Sequence, residues 1–225
     1  MANKVESRPS DDGVEIVRLI STDRDIVVPD TIDGVPVTSL CDRFLMGSPN
    51  ADNRTLTIPA SVRRFGKDSL SGVTGIRTID YKGDFSVLSS AGIVAEYDVT
   101  VTSIHEGRGM SFDFISGFPI SFPGFDEAIL STSFRMSPEI AMQRLSDPIC
   151  LTDECREGYR GYMLRRITPM AEHAVTDNDP GSLSDLYSTG LLDTDALRSL
   201  LEISVRSGKV TMTSVIMGLI RKTVR

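Results

Sequence analysis

The period of polar and apolar positions changes twice along the chain. Residues 1–13 are nearly all polar and read as a frayed end. Val14, Ile16, Val17, Leu19 and Ile20 then make a β-branched and apolar run, the composition of a strand. Residues 21–25 read as a turn. Ile26, Val27 and Val28 read as a second strand, stopped by Pro29, which has no N–H for a ladder. Between 98 and 122 the pattern is again strand-like, with Val99, Val101, Ile104, Phe112, Phe114, Phe118, Ile120 and Phe122 among Gly107, Gly109 and Gly117.

After Pro123 the spacing becomes helical. Ser137-Pro138-Glu139 supplies a capping hydroxyl, a proline suited to the first helical position and an acid, and the helix runs on through Ile140, Met142 and Leu145. Thr152-Asp153-Glu154 opens another, carrying Tyr159, Tyr162, Met163 and Arg166, which Pro169 is expected to kink or interrupt. Met170 to Val175 and Leu183 to Tyr187 flank the turn sequence Asp177-Asn178-Asp179-Pro180-Gly181. Asp193 or Thr194 caps a helix whose apolar stripe is Leu197, Leu200, Leu201, Ser204 and Val205, and Gly208 ends it. Met212, Val215, Ile216 and Leu219 repeat the stripe on a last helix. Short turns between consecutive helices predict an array of αα-hairpins.

An internal repeat lies in the first half. Val28-Pro29-Asp30-Thr31-Ile32 matches Ile58-Pro59-Ala60-Ser61-Val62, and Leu40, Leu45 and Gly47 then match Phe65, Leu70 and Gly72. In a weaker third copy Tyr81 stands for Ile58, a shift of 23 residues, while Phe85 stands for Val62 and Leu88 for Phe65. A period in the low twenties (on the order of 20–29 residues) with short strands marks a solenoid, whose units share one core because none buries its apolar face alone. The aromatics of 112–122 then serve to close its open end, or to form an exposed binding patch.

The run from Val28-Pro29-Asp30-Thr31-Ile32 through Val37-Thr38-Ser39-Leu40 resembles the BspA-like class of leucine-rich repeats, and the likeness extends over residues 25–72. The departures are Cys41 and Gly66 at the turn positions, Leu45 and Leu70 where that class usually has Phe, and few repeats. The helical tail resembles ankyrin-like hairpins. The resemblance implies protein–protein or cell-surface interaction rather than catalysis. The expected architecture is α+β: a short leucine-rich-repeat β-solenoid with a β cap over 14–122, then an all-α array of helical hairpins over 123–225.

Composition narrows the function. The chain has 225 residues, 40% of them hydrophobic, with a net charge of −7. That balance argues against a nucleic-acid binder and against docking on anionic lipid, since both demand clustered Lys and Arg. Three cysteines without a regular framework, no apolar run long enough to span a membrane and no signal-like start predict a cytoplasmic protein. His105 and His173 sit at no metal-ligand spacing, Cys150 and Cys155 lack a second ligand pair, and the 177–181 turn lacks the acids of a calcium loop. Gly107-Arg108-Gly109 has no Lys-Ser/Thr after it, and no nucleophile elbow of the form G-x-S-x-G occurs.

The expected function is therefore a non-enzymatic interaction or scaffold module without cofactor or metal. Its partner is another protein, and Arg63 and Arg64, which follow a repeat strand, are candidate partner-binding residues. An open N-terminal solenoid edge offers a route to homodimerisation. The alternative is a small-ligand-binding or enzymatic domain, its pocket where the 112–122 region meets the helices.

Overall fold

The computed structural model describes residues 4–49, 51–71, 75–132 and 135–223. It divides into two compact units, Met1–Ala128 and Ile129–Arg225. The division falls inside a helix that begins at Gly124, one residue beyond the break that Pro123 suggests.

The first unit is a β-solenoid. Its strands are β1 (Lys4–Ser10), β2 (Gly13–Ile20), β3 (Asp25–Val27), β4 (Thr31–Ile32), β5 (Val35–Leu40), β6 (Arg54–Ile58), β7 (Arg64–Phe65), β8 (Ile76–Asp84), β9 (Val99–His105) and β10 (Arg108–Phe114). Parallel pairing of β2, β5 and β7 builds one sheet, and of β3, β6, β8 and β9 the other. An antiparallel strand closes each: β1 lies beside β2, and β10 beside β9.

Stacking explains the repeat. Leu40 pairs with Phe65 and Ile58 with Tyr81, the same residues that align between copies. The amide of Val28 bonds to the carbonyl of Thr57 at 2.9 Å, beside Ile58. Gly72, aligned with Gly47, lies outside the described residues. Asp33, Gly34, Val35 and Pro36, which have no counterpart in the second copy, form a tight hairpin with β4, with Asp33 and Gly34 both at positive φ between β4 and β5. Inside the second sheet Ile26, Leu56, Ile79, Val101 and Phe112 stand in one row across all five strands, each 4% exposed or less. Phe65 and Tyr81, one from each sheet, meet edge to face at 5.5 Å.

Two expectations for this unit change. Residues 4–10 are not frayed: β1 runs antiparallel to β2 from Lys4 opposite Ile20 to Ser10 opposite Gly13. Hydropathy misses this strand because it buries no apolar side chain; ladder hydrogen bonds and the Arg8–Glu15 pair to β2 hold it. The N-terminal edge of that sheet is therefore covered, and its outermost strand is charged and carries Pro9, which discourages strand addition. Ile104 also faces outward, 43% exposed, while Ser103 takes the inward position of β9.

The aromatics of 112–122 close the unit. Phe114 packs against Phe85 of α1 (Phe85–Ser90), against Phe122, and against Phe125 of α2 (Gly124–Thr132). Phe112 meets Phe114 and Phe122 at 4.9 and 5.1 Å, and Phe118 meets Phe125 at 5.9 Å. All are buried, so they form a packed cap and not an exposed patch.

The second unit is helical: α3 (Pro138–Ser146), α4 (Asp153–Leu164), α5 (Ile167–Asp177), α6 (Pro180–Ser188), α7 (Thr194–Arg206) and α8 (Val210–Thr223). The capping signals at Ser137, Thr152 and Asp193 work as read, and Asp179, read only as part of a turn, is a further cap. Ser137, Thr152, Asp179 and Asp193 each accept a backbone N–H in the first turn of α3, α4, α6 and α7 respectively. Gly208 follows α7 in the left-handed conformation, φ +66°. The helical run is interrupted just ahead of Pro169, as expected: α4 ends at Leu164 and a new helix starts at Ile167. The chain turns at Arg165 and Arg166, and Pro169 is the third residue of α5, where its missing N–H removes no intrahelical bond. Val205 is 62% exposed, so the inward stripe of α7 is Leu197, Leu200 and Ser204. The buried Ser204 hydroxyl is satisfied by Leu201 O and Thr213 Oγ1.

Candidate functional site

Strand periodicity sends alternate residues to opposite faces. The inward row of the five-stranded sheet is apolar, so the neighbouring positions form two outward rows. One is Asp25, Thr55, Thr78, Thr100 and Asp113; the other is Val27, Thr57, Asp80, Thr102 and Ser111. Successive members of a row stand about 4.8 Å apart, the interstrand spacing. Threonine is rigid at χ1, so the surface is ordered before anything binds. Thr100 Oγ1 donates to Asp113 at 2.6 Å and Thr102 Oγ1 to Asp80 at 3.2 Å, while Lys82 Nζ lies 2.6 Å from the other oxygen of Asp80. This face presents hydroxyls and methyls with three carboxylates. The sequence carries its signal in Thr55-Leu56-Thr57, Thr78-Ile79-Asp80 and Thr100-Val101-Thr102, a pattern that acquires meaning only once the strands stack in register.

Arg63 and Arg64 lie on the other sheet and have different surroundings. The Arg63 amide bonds to Thr38 O at 2.8 Å and its side chain is exposed. Arg64 opens β7 beside Ser39, and its guanidinium reaches the β1–β2 turn. There it bonds to both oxygens of Asp12, at 2.6 and 3.1 Å, and to Ser10 Oγ at 2.7 Å. Thr38 Oγ1 donates to the same carboxylate at 3.0 Å. The Arg64 and Thr38 hydrogen bonds hold Asp12 at about 2. Both cations lie at the surface, but Arg64 is paired in an intramolecular clasp with Asp12 and Arg63 is not.

Arg54 is also a cation, but a structural one. It is fully buried at the start of β6 and donates to Ser21 O, Asp23 O and Pro49 O. Desolvation pulls its pKa down; the coulombic effect of Asp23 opposes that. Tyr81 is buried with its hydroxyl on Val62 O at 2.6 Å, and burial pushes it up to about 12, so it remains a neutral donor.

The other singled-out residues settle into local roles. His105 Nδ1 lies 3.9 Å from Asp84, and the exposed His173 lies 3.3 Å from Asp177 on α5. Asn178 is the left-handed cap of α5, and Asp179 caps α6, so turn chemistry accounts for that acidic stretch. Glu106 and Gly107 make the β9–β10 turn. Cys41, Cys150 and Cys155 are not joined in disulfides. Among the described residues no group of three or more His, Cys, Asp or Glu is placed to hold a metal ion, and no helix is long and apolar enough to cross a membrane.

The fold and the surface stand on their own geometry, since no family model, no curated protein and no solved structure matches this chain.

Proposed function

We propose that the protein is a non-enzymatic interaction module whose β-solenoid recognises another protein through the outward face of its five-stranded sheet. The observation that carries this reading is the pair of hydroxyl and carboxylate rows, from Asp25 to Asp113 and from Val27 to Ser111, held in register by a fully apolar inner row. Binding on such a face costs little side-chain entropy, because threonine has few rotamers to lose. The hydroxyls both donate and accept, and the carboxylates favour Lys, Arg or amide groups on the partner. The resemblance of residues 25–72 to BspA-like leucine-rich repeats supports the same reading. Arg63 is the rim cation of the opposite sheet in this proposal.

The test is affinity capture from native cells with the full chain as bait. Thr57→Arg/Thr102→Arg places bulk and charge on the face, and Arg63→Glu reverses the rim charge without touching the Arg64 clasp. A reproducible protein partner lost only with the threonine variant supports the face. A partner lost only with Arg63→Glu moves the site to the other sheet. Full retention by both variants defeats the solenoid reading.

A further inference from the structure

The second unit contains a feature that the sheet face does not use: a groove of about 470 Å³ bounded by α3, α5 and α6. Its floor is apolar and soft, with Met142 from α3, Met170 from α5 and Leu186 from α6. Methionine fills irregular space and adapts to different apolar partners. The rim is acidic. Glu139, Asp177 and Asp185 line it and no Lys or Arg does. Asp177 has His173 beside it at 3.3 Å. The carboxylates of Glu139 and Asp185 have no ion-pair partner among the described residues. The Asp179 carboxylate is directed at its own helix, accepting the amide and hydroxyl of Ser182 at 3.1 and 2.7 Å.

We infer that this groove docks a basic segment of another protein: one large apolar side chain on the methionine floor, flanked by Lys or Arg that pair with Glu139 and Asp185. Charge complementarity selects the occupant. An acidic segment would meet several carboxylates at short range, and a neutral apolar one would leave them facing an uncharged neighbour. A polyamine would satisfy the rim and leave the floor open to water. The site belongs to the helical unit and stands independently of the sheet face.

A phage-displayed random-peptide library selected on the full chain tests this. Enriched sequences are expected to carry an apolar residue with Lys or Arg on either side. By fluorescence anisotropy the best of them should lose about tenfold in affinity with Glu139→Lys/Asp185→Lys, and weaken as salt rises. Glu154→Lys/Glu157→Lys, on exposed positions of α4, changes the net charge equally and should leave affinity unchanged. Met142→Gln/Met170→Gln should weaken binding with every carboxylate in place. Enrichment of neutral or acidic peptides, equal losses from the two charge-reversed pairs, or full competition by spermine at the peptide's own affinity would each overturn the proposal. Circular dichroism of every variant confirms the folded state.

Discussion

Arg64 closes two hydrogen bonds on Asp12, 52 residues earlier in the chain, and so ties β7 to the turn of the N-terminal hairpin of its sheet. The same carboxylate accepts Thr38 Oγ1 from the strand between them. Two strands, β5 and β7, and the β1–β2 turn meet at one anion, and β1, which buries no apolar side chain, is anchored there.

This clasp has a pH signature. Asp12 is depressed from an ordinary 3.8 to about 2, chiefly by its hydrogen bonds from Arg64 and Thr38. A carboxylate with a lowered folded-state pKa adds stability that is fully present above its unfolded value and is lost as pH falls through the folded one. The contribution should therefore fade between pH 3.8 and about 2 and be constant at neutrality. NMR titration of the Asp12 side-chain carboxyl should show a midpoint near 2, and Arg64→Gln should return it toward 3.8. A wild-type midpoint near 3.8 would mean that the clasp does not form in solution.

Removing the Arg54 guanidinium should cost more than removing any surface cation. It would leave the buried carbonyl of Ser21 and the part-buried carbonyls of Asp23 and Pro49 without their donor. An unsatisfied buried acceptor costs about 1–3 kcal/mol, and water can reach the part-buried ones, so Arg54→Met should lower unfolding stability by about 1–3 kcal/mol. Urea denaturation measures it. Arg54→Lys should recover little, because one ammonium cannot reach all three carbonyls.

The aromatic cap makes a second demand. Phe114 is fully buried and touches the rings of Phe85, Phe112, Phe122 and Phe125. Phe114→Ala should destabilise by about 3–5 kcal/mol through lost burial and the cavity left behind. Phe114→Leu should recover a large part of that. Equal losses from the two substitutions would argue against a tightly packed cap.

Gly75 tests the approach of successive coils. Its φ is +84°, and a Cβ there would strike the carbonyl of Ala51 on the preceding coil, 3.2 Å from the Cα of Asp52. Gly75→Ala should lower the thermal midpoint well beyond the effect of Gly109→Ala, which meets nothing within 4 Å. Similar midpoints for the two variants would show that the coils have room to separate.

Much of the architecture is legible in the residues. The aligned pairs Leu40–Phe65 and Ile58–Tyr81 become lateral neighbours because each coil carries the same apolar positions and stacks like on like, its extra residues being taken up outside the paired strands. Ser137, Thr152, Asp193 and Gly208 mark helix ends because capping is a local interaction, complete within one turn of chain. What could not be read there depends on neighbours distant in sequence. Strand β1 has no hydrophobic signature because β2 supplies its hydrogen bonds and Arg64 its anchor. Val205 points to solvent although it lies on the apolar stripe, and Ser204 turns inward because Thr213 waits for its hydroxyl. Arg63 and Arg64 are adjacent and chemically alike, and only the position of Asp12 puts one in a clasp and leaves the other out of it. Local periodicity and capping chemistry determine the elements of this protein; the register of its coils decides which hydroxyls, carboxylates and methionines share a surface, because that register brings together atoms the chain itself keeps far apart.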